Sequence, residues 1–342
     1  MERTPDLPAA MADVRAPILH DAHPGAGTAD HVRRVPIDDV MRIFVRKPGF
    51  LLARIDQIAN ALYGGLAQGG ETLAQAEILV AIAHGDARDQ VGLARASGID
   101  TSTTAIIIDN LELTGLVSRV QDKGDRRRSL PVLTDEGQRR MPAVTASFAA
   151  LQDELLSGIS AGDAARLTEL LGQIARENAG GAPRWDDEAC PIAQSPSLLC
   201  RRALQISHAH FATAVAPLVI TLRQFSALVI LHLHPGLSQA EFARIYGLDP
   251  STCAVVLKKL AARGLLRASR STEDRRKTLY RTTDEGREQA ATVQPLADQS
   301  EAQMLTPLAQ NDAAALVPLL QRIVQHHAGR LRYPGCLPWD RD

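Results

Sequence analysis

Gly115-Leu116-Val117-Ser118-Arg119, followed by Asp125-Arg126-Arg127-Arg128 and Leu133-Thr134-Asp135-Glu136-Gly137, decides the fold because it occurs twice. The second occurrence, 149 residues later, reads Gly264-Leu265-Leu266-Arg267, Asp274-Arg275-Arg276-Lys277 and Thr282-Thr283-Asp284-Glu285-Gly286. The register runs without a gap from Thr72/Thr221 to Gly137/Gly286, and more than a third of the aligned positions are identical. Upstream it slips by one residue, so that Arg54, Gln57-Ile58 and Tyr63 fall on Arg202, Gln205-Ile206 and Phe211. Shared composition does not hold glycines and an Asp-Arg-Arg cluster at fixed places, so the chain carries two copies of one module. A module beside its own copy makes a two-fold-like object, the shape suited to a two-fold duplex site.

Within the second copy, Ser238-Gln239-Ala240-Glu241 offers a capping box and opens a helix that stops near Gly247. After a four-residue turn, Ser251-Thr252 can start another helix through Val255-Val256, Leu257 and Leu260 to Gly264. Helix, short glycine-containing turn, helix is the helix-turn-helix pattern, whose second helix enters the major groove. Two short alternating stretches then flank a charged tip at Glu273-Asp274-Arg275-Arg276, which predicts a β-hairpin wing. Thr283 or Asp284 caps the next helix. The first copy repeats this order, with Ser97-Gly98 at the turn and Gly124-Asp125 at the wing tip.

Working outward, 342 residues accommodate two domains of ordinary size. Hydrophobic residues make up 45% and aromatics only 4%, with Ala and Leu abundant, which favours helix. Residues 1–38 lack periodicity and read as a flexible N-terminal extension. Repeat 1 spans 39–182, with helix from about 39 to 66 interrupted near Pro48-Gly49, and a helical pattern over 142–178 broken at Ser157-Gly158-Ile159-Ser160. The proline-bearing segment 183–196 is the linker, repeat 2 spans 197–330, and 331–342 form a C-terminal tail. No run approaches a membrane span, and the first thirty residues lack a signal-peptide core, which points to the cytoplasm. Cys190, Cys200, Cys253 and Cys336 lie far apart with no CxxC pair, so neither a zinc site nor a disulfide framework is expected.

The run Gly-Leu-x-x-Arg, Asp-x-Arg, Leu-Thr-x-x-Gly resembles the multiple-antibiotic-resistance regulator (MarR) family of winged-helix transcription factors. The resemblance covers about 40 to 180 and 197 to 328. Two departures are Ala268 where the first copy has Arg119, and Thr282 where it has Leu133. Family members normally carry one copy and pair through interlocking terminal helices. The implied fold is therefore mainly α with small β-wings: two winged helix-turn-helix domains plus interlocking dimerisation-type helices, arranged about an internal pseudo-two-fold. The implied function is a repressor that binds a pseudo-palindromic operator as a monomeric pseudo-dimer, without a cofactor.

The resemblance also implies that the wing aspartate orients an arginine into the minor groove: Asp125 with Arg127, and Asp274 with Arg276. A narrow minor groove concentrates negative potential, which favours a guanidinium directed by a neighbouring carboxylate. Arg126, Arg128, Arg275 and Lys277 are then phosphate contacts that set affinity and salt dependence. The recognition helices contribute Ser102, Thr103 and Asn110 in one copy and Ser251, Thr252, Lys258 and Lys259 in the other. Over 66–140 there are nine Lys/Arg against eleven Asp/Glu, and over 215–289 twelve against seven, although the whole chain is close to neutral at −1. Acidic Asp109 and Glu112 oppose phosphate binding. The expectation is an unequal pair in which the second lobe grips firmly and the first engages mainly through its wing.

Family members often release DNA on binding a small aromatic acid between the pairing helices and the winged core. The corresponding residues are Arg54, Gln57, Tyr63 and His84 in the first lobe, and Arg202, Gln205, His208 and His232 in the second. An arginine in an apolar crevice suits a carboxylate because its fork engages both oxygens. His208-Ala209-His210 and His232-Leu233-His234 do not chelate locally, since residues two apart on a helix point about 200° away from each other, so no metal site is expected. Oxidation of Cys253, in the recognition helix, offers an alternative thiol-based control, and a non-DNA-binding partner role is a further one. No Gly-rich phosphate loop, HExxH or nucleophile elbow is present, so the chain does not read as an enzyme.

Overall fold

The computed structural model describes residues 34–339 except 86–87, 123, 125–126 and 178–179. In chain order repeat 1 forms α1 (Ile37–Val45), α2 (Pro48–Leu66), α3 (Leu73–His84), α4 (Gln90–Ser97), α5 (Thr101–Leu113), β1 (Val117–Gln121), β2 (Ser129–Leu133), α6 (Asp135–Leu156) and α7 (Ala161–Ala175). Repeat 2 forms α8 (Pro196–Ala214), α9 (Leu222–Leu233), β3 (Leu237–Ser238), α10 (Gln239–Tyr246), α11 (Pro250–Ala262), β4 (Leu266–Arg270), β5 (Thr278–Thr282), α12 (Asp284–Met304) and α13 (Gln310–His327). Among the described residues the fold is mainly α with two small antiparallel sheets, and each repeat contains a winged helix-turn-helix.

Local chemistry fixes the element ends. Thr72 with Gln75, Thr221 with Gln224, and Ser238 with Glu241 each form a capping box that satisfies two otherwise open amides. The recognition helices α5 and α11 are capped by Asp100 and Asp249, which accept from Thr103 N at 2.8 Å and Thr252 N at 2.9 Å. The sequence expectation put the α11 start at Ser251-Thr252. The aspartate wins because a carboxylate accepts the N3 amide with full charge at the positive end of the helix. Gly98 and Gly247 end α4 and α10 at φ 62° and 70°, the left-handed region where a side chain is strained.

The repeated motif that closes each winged helix has a steric cause. Thr134 caps α6 and its hydroxyl donates to the Gly115 carbonyl at 2.6 Å; Thr283 does the same to Gly264 at 2.7 Å. A Cβ on Gly137 would stand 2.1 Å from the Leu116 carbonyl oxygen, and one on Gly286 would stand 2.1 Å from that of Leu265. Only glycine lets the helix start pass that close to the strand entry. The hairpins pair Val117 with Leu133 and Leu266 with Thr282. In repeat 2, the two-residue β3 adds to β5 through Leu237–Tyr280 and Ser238–Leu279, giving three strands where the described residues of repeat 1 form two.

The chain divides into two compact units whose limits are not those of the sequence repeats. One holds Leu52–Ile206 with Pro318–Leu331; the other holds residues up to Leu51, Ser207–Val317 and those from Arg332 onward. In the second unit, Val40, Met41 and Phe44 of α1 belong to one core with Phe225, Leu228, Phe242, Leu257 and Leu260. Phe44 meets Tyr246 edge-on at 6.0 Å, and Val35 N donates to Leu233 O at 2.9 Å. Lys47 binds Asp298 at 2.7 Å and Glu301 at 2.8 Å; burial alone would lower its ammonium, but the two carboxylates raise it to about 12. Repeat 1 thus lends its first helix to the winged helix of repeat 2.

The first unit receives the converse loan. The start of α8 packs on repeat 1, where Ser197 exchanges hydrogen bonds of 3.0 Å with Gln152. The end of α13 joins it too, with His327 Nε2 3.2 Å from the Leu155 carbonyl. Segments expected to be extension, linker and tail are partly docked. Residues 1–33 and 340–342 lie outside the described residues, but α1 already begins at Ile37. Asp186 N, in the linker, donates to Arg95 O at 3.0 Å, and Cys336 N, in the tail, donates to Ile245 O at 2.9 Å.

Candidate nucleic-acid interface and ligand pocket

Along α11 the buried face carries Cys253, Val256, Leu257 and Leu260, leaving Ser251, Lys258 and Lys259 exposed and Thr252 half-buried. Along α5 the buried set is Thr104, Ile107, Ile108 and Leu111, with Ser102, Thr103 and Asn110 exposed. The two serines are less free than their exposure suggests. Ser102 Oγ donates to Asp100 at 2.5 Å, and Ser251 Oγ donates to Asp249. Their protons hold the caps, which leaves only lone pairs for an incoming base edge. The Ser102 bond, with the Thr103 hydroxyl and amide, keeps Asp100 ionised down to about 2.

Repeat 1 neutralises its own acidic recognition helix. Arg119, on β1, donates to Asp109 at 2.5 Å and also to Glu112. The three aligned residues of repeat 2 are Lys258, Ala261 and Ala268, so the clamp and its acids are absent there together. The expectation that Asp109 and Glu112 would repel phosphates is therefore tempered: the arginine that compensates them comes from the neighbouring strand.

At the second wing, Asp274 Oδ1 accepts the Arg276 amide at 3.0 Å and lies 3.6 Å from Arg276 Nε. The Arg276 side chain is 95% exposed, so the carboxylate directs a guanidinium that points outward. Arg270, Ser271, Thr272, Arg275 and Arg276 line a concavity beside it. At the first wing Arg127 is exposed, whereas Asp125 and Arg126 lie outside the described residues. Arg128 and Lys277, expected as phosphate contacts, each also have an acidic partner within the protein. Arg128 donates to the α4 cap Asp89 at 2.8 and 3.0 Å, and Lys277 lies 3.7 Å from Glu241 of α10. Each ties the base of its wing to the first helix of its helix-turn-helix.

The candidate ligand residues separate into three groups. Arg54 and Gln57 pair on α2 at 3.0 Å, and Arg202 and Gln205 pair on α8 at 2.7 Å. Both arginines are only 2% exposed. Arg202 also donates to Pro183 O at 2.9 Å and stacks over Trp185 at 5.5 Å, and burial with Arg201 nearby lowers it to about 10. The sequence assigned Arg202 and Gln205 to the second lobe; they belong to the unit of repeat 1, where Gln205 Nε2 reaches Gly98 O at 3.0 Å. Tyr63 binds Glu71 at 3.4 Å instead, and burial raises its phenol. His84 Nδ1 is 3.0 Å from its own helix at Val80 O. His208 and His232 fall in the other unit, and burial lowers His232.

Beside Arg202 lies a charge cluster that the motifs did not reveal. Arg201 donates to Glu77 at 2.8 Å, to Ser97 O at 2.8 Å and to Gly98 O at 3.1 Å. Glu77 is 1% exposed, and burial raises its carboxyl against the pull of Arg201; Asp56 is raised by the same cause. The signal was present: Glu77 is a lone acid in the apolar run Ala76–Ala81, and such a residue needs a buried cation. Cys190, Cys200 and Cys253 are buried, and burial raises all three thiols, Cys253 to about 11, which opposes thiolate formation. Among the described residues no three His, Cys, Asp or Glu side chains converge, and no helix is long and apolar enough to cross a membrane.

Comparison with known proteins matches the MarR family profile twice, at residues 72–129 and 220–278. The transcriptional repressor NicR of Pseudomonas putida is 27% identical over 139 residues, 41% of this chain and 88% of its own. An uncharacterised HTH-type transcriptional regulator of Bacillus subtilis, YdgJ, is 28% identical over 105 residues, 31% of this chain and just 64% of its own length. The solved PcaV transcriptional regulator of Streptomyces coelicolor, in complex with its natural ligand, is 30% identical, covering 37% of this chain and 91% of that one, with a TM-score of 0.36.

Proposed function

The chain belongs to the MarR family in both of its repeats, and on that premise we propose that it is a transcriptional repressor that spans a pseudo-palindromic operator as a single-chain pseudo-dimer and is released by a small aromatic acid. The observation that carries this is Arg276, held outward by Asp274 on the wing of the same winged helix that exposes Lys258 and Lys259. A directed guanidinium suits a narrow minor groove, and the two lysines suit the flanking phosphates. The first lobe contributes Arg127, Thr103 and Asn110 with less charge, so the two half-sites are held unequally. The protein acts in the cytoplasm, where its duplex is.

Release follows from the position of Arg202. A carboxylate that takes its guanidinium competes with Gln205 and Pro183 for the same N–H groups. Gln205 also holds Gly98 O, two residues before the cap of α5. Shifting Gln205 therefore loosens the turn that aims the recognition helix. Arg54 with Gln57 offers a second arginine of the same kind. The buried thiols give no support to redox control.

The test is selection of DNA fragments by the purified chain, followed by footprinting with and without a panel of aromatic acids. Two protected half-sites that fade on adding an acid are expected. Failure to enrich any sequence at low salt would leave the chain a non-DNA-binding partner protein.

A further inference from the structure

The large hydrophobic side chains exposed among the described residues include Ile106 and Val255, 61% and 53% exposed. They occupy the same position of the repeat, in the middle of the outward stripes of α5 and α11. Other exposed members do not recur: Val91, Leu113 and Val120 align with Ala240, Ala262 and Ser269. Ile106 has Ser102 and Asn110 one turn to either side, and Val255 has Ser251 and Lys259. Packing does not explain the pair, since Ile107, Ile108 and Leu111, and Val256, Leu257 and Leu260, already fill the buried faces. A β-branched aliphatic there carries a helix-propensity cost and leaves apolar surface in water, a cost that an apolar contact in the bound state offsets, and its recurrence in both copies sets this pair apart from the other exposed aliphatics. In a major groove the base edges present donors, acceptors and one apolar group, the C5 methyl of thymine.

We propose that Ile106 and Val255 each read a thymine methyl, one in each half-site, and so set sequence choice where the wings set affinity. This rests on the DNA-binding function proposed above. Serine, asparagine and lysine neighbours position the helices on polar groups, and the aliphatic side chain discriminates T·A from C·G at the pair between them. Ile106 extends one carbon further than Val255, so the two half-sites need not be identical at that pair.

The test replaces each thymine of the selected duplex in turn by deoxyuridine, which keeps base pairing and removes only the methyl. With the unaltered chain, one substitution per half-site should weaken binding about three- to five-fold, the worth of one buried methyl. Ile106→Ser should abolish that penalty in one half-site only, and Val255→Ser in the other; both positions are exposed, so folding is retained. Binding without any uracil penalty, or penalties that persist in both variants, would overturn the assignment while leaving DNA binding itself intact. A chain that selects no sequence would instead overturn the function on which the assignment rests.

Discussion

Gln205 Nε2 donates a 3.0 Å hydrogen bond to the carbonyl oxygen of Gly98, which turns the chain from α4 into the recognition helix. Arg201 reaches the same carbonyl and that of Ser97, so two side chains of repeat 2 close the open end of a helix in repeat 1. A helix from one repeat thereby supports the DNA-facing turn of the other, one residue away from the buried arginine that suits a carboxylate.

Gln205→Ala should cost about 1 kcal/mol of stability, the worth of an ordinary hydrogen bond. Its larger consequence is on coupling: an aromatic acid should still bind, but its effect on DNA affinity should shrink. Calorimetry of the acid, together with anisotropy of the duplex, separates the two; an unchanged effect on DNA would contradict the route through Gly98.

Arg201→Met should destabilise the chain by about 3–5 kcal/mol at neutral pH, because Glu77 is left charged and buried. The deficit should depend on pH with a definite sign. Burial holds the Glu77 carboxyl above its ordinary 4.5, so its charged form weakens the fold as pH rises through the folded value. Removing Arg201 enlarges that penalty, which should fade on acidification towards 4.5, and Glu77→Gln in the same chain should restore most of the loss. Urea midpoints across pH check this; a pH-independent deficit would contradict it.

Transplanting the second recognition face onto the first makes a converse prediction. Asp109→Lys, Glu112→Ala and Arg119→Ala together reproduce Lys258, Ala261 and Ala268. DNA affinity should rise, with the salt slope steepening by about one counterion. Arg119→Ala alone should weaken binding, because it releases two acids beside the duplex. Anisotropy titrations over a salt series read both.

The wing cations should not be equivalent. Arg275→Ala removes an exposed charge and should flatten the salt slope by about 0.9. Arg128→Ala removes a charge already spent on Asp89, so its slope should change by less than half as much. Equal changes would mean that Arg128 leaves Asp89 to bind phosphate.

Much of this architecture was legible in the chain. The two winged helices follow from the recurrent glycines and the Asp-Arg-Arg cluster, and the capping box at Ser238 stands as read. What escaped is which core each long helix joins. The apolar stripe of α1 says that Val40, Met41 and Phe44 are buried, but periodicity carries no address, so their place against Phe242 and Tyr246 was invisible. Arg202 and Gln205 lie in the sequence of repeat 2 but in the compact unit of repeat 1, for the same reason. Asp100 and Asp249 were overlooked as caps because Ser102 and Ser251 beside them are equally good cap residues on type alone. The Arg119 clamp needs β1 folded back on α5, a relation that spacing along the chain does not encode.

One polypeptide that supplies both DNA-reading modules should occupy a full operator alone. The mass of the complex with the selected duplex, by light scattering, beside the affinity for each half-site alone, reads this. One chain per full duplex is expected, with the half-site that meets Lys258 and Arg276 bound more tightly than the other, and both far more weakly than the whole. Two chains per duplex, or a half-site bound as tightly as the full one, would contradict the account.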